Sequence, residues 1–149
     1  MYRGSMIKRA KVTRIKNAVA AGTTEVLSDV LDMQGYDSVM FIAVLGDVTD
    51  TSVLTLTAKG NTASSTSSPT PVAITDGSCT FTAGATDADN KMMIVDVLRP
   101  AKRYVFASLT RTTANAVVDS IIAIQYCSRS VDITQGSTVL KSALSTPEA

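Results

Sequence analysis

The chain of 149 residues has no histidine, no tryptophan, two cysteines and seven aromatic side chains. Each shortage excludes something. Without histidine there is no Ser-His-Asp or Cys-His relay, and no zinc site that needs imidazole. Cys79 and Cys127 are too few for the disulfide framework of a small secreted domain, and their spacing fits no metal motif. They read as two reduced thiols, with a disulfide within or between chains as the alternative. Charged residues make up 18% of the chain and the formal net charge is +1, too little for a general nucleic-acid binder. No apolar run approaches the roughly 20 residues of a membrane helix. The first apolar run is short and interrupted by bases, so no signal peptide is expected. A phosphate-cradling Gly-x-x-x-x-Gly-Lys-Ser/Thr loop and a Gly-x-Ser-x-Gly elbow are both missing. Asp87-Ala88-Asp89-Asn90 opens like a calcium loop, but Lys91 and Leu98 fall where oxygen ligands belong. These absences point away from an enzyme, and no cofactor, metal or small-molecule substrate is expected.

What is present favours strands. The chain holds 20 Thr and 16 Val, and 45% of it is hydrophobic. β-Branched residues suit a pleated, half-buried surface. Short apolar runs recur between turn signals. Ser38–Leu45 is almost wholly apolar and reads as a central strand buried on both faces, and Lys91–Leu98 is another nearly continuous apolar strand. Ser52–Lys59 alternates, with Leu54, Leu56 and Ala58 on one side. Val72–Thr75 and Ser78–Thr82 flank Asp76-Gly77, which reads as a hairpin turn. Val117–Tyr126 alternates too, placing Val118 with Ser120, Ile122, Ile124 and Tyr126. The Ser/Thr/Pro stretch 62–71 reads as an exposed loop. The expectation is an all-β protein: an antiparallel, jelly-roll-like β-sandwich of about eight strands with an extended basic N-terminal arm. Residues 1–16 are the arm or an edge strand, 17–127 the sandwich body, and 128–149 a loosely ordered tail.

Charge is uneven. Arg3, Lys8, Arg9, Lys11, Arg14 and Lys16 lie in the first 24 residues with no acid among them. Three readings stay open: a solvated charged face, an arm that docks on an acidic protein neighbour, or a few phosphate contacts. No aromatics are interleaved to stack nucleotides, so nucleic acid is not an expected partner. Arg99, Lys102, Arg103 and Arg111 form a second, weaker basic cluster around one turn.

Several stretches carry a resemblance: Asn17–Glu25, Gly35–Phe41, Ala83–Lys91, Asp96–Tyr104 and Arg111–Asp119. The match they mark spans roughly residues 17–126, most of the chain, and it resembles small head proteins of tailed bacteriophages. The resemblance implies a capsid decoration, or cement, protein made in the bacterial cytoplasm and bound to the capsid exterior. Its implied partners are the major capsid protein and further copies of itself, with trimers at junctions between capsomers. On this reading the arm reaches onto neighbouring capsid subunits, and deleting residues 1–16 removes decoration while the body still folds. The alternatives are a tail, collar or head-fibre component contacting a host surface, with loop 62–71 as its tip, and an internal DNA-binding head protein.

Overall fold

Thr, Val and Ile alternate with smaller residues through most of the chain, and that pattern folds into strands alone. The computed structural model describes residues 5–130 and 132–145. A single 3-10 turn, Met6–Lys8, precedes ten strands. These are β1 (Lys11–Lys16), β2 (Val19–Gly22), β3 (Val26–Leu27), β4 (Leu31–Asp32), β5 (Tyr36–Val48), β6 (Val53–Asn61), β7 (Val72–Thr82), β8 (Met92–Leu98), β9 (Tyr104–Thr112) and β10 (Ala116–Ser128). All pairings are antiparallel.

Two sheets form. The front sheet runs β1-β10-β5-β8, with β2 also paired to β10. The back sheet runs β3-β9-β6-β7, with β4 also paired to β9. Because β1 and β2 share one side of β10, and β3 and β4 share one side of β9, ten segments fill eight strand positions. Taken in chain order, the eight positions alternate between the sheets except at β6 and β7, which are neighbours in the back sheet, and this is the order of a jelly roll. The fold is therefore the expected antiparallel β-sandwich. The inner faces meet in one core, where Phe41, Leu54, Leu56, Leu109 and Ile121 are fully buried. Each such side chain contributes about 1.5–3 kcal/mol through its removal from water.

The structure corrects several expectations. Lys11–Lys16 is no free arm: it is an edge strand paired with β10 from Lys11↔Gln125 to Lys16↔Ile121. Ile15 reaches the core at 1% exposure. Deleting residues 1–16 would thus damage the body it was expected to leave intact. Val19–Gly22 continues the same edge as β2. Asp76-Gly77 makes no hairpin. It sits inside one long strand, β7, where the register against β6 shifts between Thr57 and Lys59 and Asp76 adopts φ +57°. The extra residues bulge outward instead of reversing the chain. Val118 is buried and faces inward, because register shifts on either side of it reverse the alternation of β10.

The tail is also used. Residues 132–145 form no strand, yet they run along the outer edge of β1. The Val12 amide donates to Gln135 Oε1 (2.9 Å) and the Arg14 amide to Thr138 Oγ1 (3.1 Å). Gln135 Nε2 donates to the carbonyls of Ile7 and Ala10. Two side chains thus satisfy edge amides that another strand would otherwise pair with.

Candidate functional site

The outer face of the front sheet is aliphatic. Its register aligns side chains in rows across the strands. One row is Val12, Ile124, Met40 and Asp96; the next is Arg14, Ile122, Ile42 and Ile94. Ser120, Val44 and Met92 form a third, and Tyr126, Ser38 and Leu98 a fourth. On β8 the alternation is strict: Met93, Val95 and Val97 are buried inside, while Met92 (60%), Ile94 (49%) and Leu98 (70%) are exposed outside. Both faces of these strands are apolar, but only one is covered by the described residues. The expectation that Ser38–Leu45, within β5, is buried on both faces holds for the inner face alone. A contiguous exposed apolar face of this kind marks an interaction surface.

The face has structure at its margins. The Met6–Lys8 turn overhangs one end, leaving a cleft of about 630 Å³ between Met6, Arg9, Met40, Asp96, Ile124 and Tyr126. Met6 is itself 67% exposed. Within the cleft the Tyr126 hydroxyl donates to Asp96 Oδ1 at 2.5 Å. Burial, with this hydrogen bond and the charge on Asp96 adding to it, pushes the Tyr126 phenol up to about 12. A second apolar cleft of about 360 Å³ opens between β7 and β8, lined by Leu54, Cys79, Phe81, Met92 and Ile94.

The outer face of the back sheet differs. Its rows are Thr82-Val53-Thr112, Thr80-Thr55-Thr110 and Ser78-Thr57-Ser108. Eight of these nine positions carry a hydroxyl. Thr55 and Thr80 hydrogen-bond across the strands at 2.9 Å, and the Ser108 hydroxyl donates to Glu25. That bond, with help from Lys59, holds the Glu25 carboxyl below its ordinary range.

The basic residues of the N-terminal segment separate in space. Lys8 and Arg9 lie in and after the turn at the end of the front face. Lys11, Arg14 and Lys16 lie along β1, and Arg14 is in one of the aliphatic rows, its guanidinium 3.3 Å from the Asp119 carbonyl. Arg3 lies outside the described residues. They line one edge of the front sheet and form no separate arm over the described range. The second basic cluster also divides. Arg103 pairs with Asp32 at 2.8 Å and sits over the Tyr104 ring. Arg111 is no surface base: it is 2% exposed and donates to the carbonyls of Thr24, Ala20 and Ala116. It bridges three chain segments at one end of the sandwich, and burial pulls its guanidinium below the ordinary value.

Cys79 and Cys127 are both free, so no disulfide joins them within the chain. Cys79 is half-buried on β7 with Sγ 3.8 Å from the Ile94 carbonyl, and burial pushes its thiol up. Cys127 is exposed near the end of β10. Among the described residues, no group of three or more Cys, Asp or Glu side chains is placed to hold a metal. No helix there is long and apolar enough to cross a membrane.

No protein-family model and no curated protein matches the chain. Many solved structures are similar in outline, three of them as follows. A Bacillus endospore appendage from a family of disulfide-linked pili is 11% identical with a TM-score of 0.48, covering 85% of this chain and 93% of its own. The Eiger TNF of S. frugiperda is 9% identical with a TM-score of 0.36, covering 83% and 99%. Desmodium yellow mottle tymovirus is 12% identical with a TM-score of 0.32, covering 86% and 89%. Likenesses this distant carry no functional argument.

Proposed function

We propose that this protein is a structural component of a phage virion, decorating the capsid exterior and clamping neighbouring major capsid subunits. The observation that carries the reading is the aliphatic outer face of the front sheet. A sandwich that completes its core and still presents rows of Ile, Met and Val is built to associate. The basic edge beside that face, Lys8, Arg9, Lys11, Arg14 and Lys16, supplies a rim for an acidic capsid surface. The resemblance of residues 17–126 to small phage head proteins supplies the partner. Several modest contacts made at once raise overall affinity by about 10²–10⁴ through effective concentration.

The test uses undecorated capsids and the full chain. Binding should cover the whole lattice in electron micrographs and weaken when Lys8, Arg9 and Lys11 are changed to Glu. That triple change replaces the deletion of residues 1–16, which would remove Ile15 from the core. Density at a single vertex would instead indicate a tail, collar or head-fibre component. Unchanged binding by the triple variant would remove the basic rim from the account.

A further inference from the structure

The charges on the front face specify what covers it. Among its four rows only Arg14 and Asp96 are charged, and they sit on opposite edge strands, β1 and β8. The strands between them, β10 and β5, contribute Ser120, Ser38 and otherwise apolar or aromatic side chains to these rows. A two-fold axis lying between two such faces and parallel to the strands puts β1 of each copy over β8 of the other. Arg14 then faces Asp96 of the second copy twice over. The two positions are one pleat repeat apart along the strands, about 6.6 Å, which an extended arginine spans. An axis across the strands would instead set β1 over β1, and basic edge over basic edge.

We propose that a second copy of this chain packs front sheet to front sheet about the strand-parallel two-fold axis. The four rows measure about 19 Å by 23 Å, on the order of 440 Å² in projection before side-chain relief is counted. A stable pair buries about 800 Å² of accessible surface on each partner. The overhanging Met6 turn and the rim at Asp119 extend the footprint toward that size. Sheets stacked this way sit about 10 Å apart with their strands within about 30° of each other. The resemblance implies trimers; the opposed signs on opposed edges favour a pair. The inference rests on the association reading above and refines it: the pair covers the aliphatic face and leaves the basic edge of Lys8, Arg9, Lys11 and Lys16 for the capsid, and its test separates the two.

Sedimentation velocity reads the outcome on the full chain. Wild-type protein should sediment as a dimer at tens of micromolar. Arg14→Asp alone and Asp96→Arg alone each place like charges opposite one another twice, and each should sediment as a monomer with an unchanged β-sheet circular dichroism spectrum. An equimolar mixture of the two variants restores an opposite-charge contact at both sites and should return a dimer. A monomeric or trimeric wild type, or a mixture that stays monomeric, overturns the proposal. Capsid decoration measured on the same samples tells the readings apart. A monomeric wild type that decorates capsids overturns the pair and leaves the capsid function standing. A dimeric wild type that leaves capsids bare does the reverse.

Discussion

The two outer faces of this sandwich have the same geometry and opposite chemistry. Both are strand faces carrying many β-branched residues and both back onto one core. The front rows hold Ile42, Ile94 and Ile122, whereas the back rows hold Thr55, Thr80 and Thr110. Threonine shares valine's shape but carries a hydroxyl that water or a neighbour must satisfy. The back face is thus finished as a solvated surface, with Thr55 bonded to Thr80. On the proposed reading the front face is half of an interface. The difference teaches that the core does not explain the apolar content of the front sheet, because the core is complete without it.

The largest expected effect comes from breaking the front face. Ile122→Asp should weaken association by roughly 100-fold, as loss of a central apolar contact and burial of a charge would. Thr110→Asp, the matching change behind, should alter it little. Sedimentation and capsid binding on both variants check the contrast, and equal losses would erase it. A smaller effect comes from making the faces alike. Thr55→Val, Thr80→Val and Thr110→Val together should produce a second adhesive face, seen as concentration-dependent assembly beyond a pair. Fold stability, read by urea unfolding, should change by no more than about 1 kcal/mol, because the Thr55–Thr80 pair loses both partners together and the Thr110 hydroxyl gives up only a long bond to the Thr55 carbonyl. The smallest effect is a titration. Tyr126 on the front face is held neutral up to about 12, whereas the unfolded phenol loses its proton near 10. Between those values the unfolded state binds fewer protons, so stability falls as pH rises from about 10 to about 12 and levels off above. Asp96→Asn should move the phenol part of the way back, read by tyrosinate absorbance.

Much of the fold was legible in the residues. The alternation of Leu54, Leu56 and Ala58 correctly gave one face of β6, the inward one, because β6 keeps an unbroken register against β9 from Val53 to Asn61. β10 misled at Val118, since the bulges that reverse its facing leave no mark in composition. The Asp76-Gly77 pair looked like a hairpin because the same residues that turn a chain also serve a bulge. The front face was the hardest feature to read. The continuous apolar run in β5 suggested burial on both sides, and sequence does not distinguish cover by the same chain from cover by another. Arg111 was placed among surface bases because its buried partners are backbone carbonyls, which no side-chain pattern reveals.

Methionine oxidation tests the central claim most directly. Met92 is 60% exposed on the front face, and Met93 beside it is 8% exposed on the inner face. Peroxide labelling followed by mass spectrometry should find Met92 reactive in dilute protein and protected in the associated or capsid-bound state, with Met93 slow in both. If Met92 oxidises equally fast in both states, the front face is not where this protein holds its neighbours.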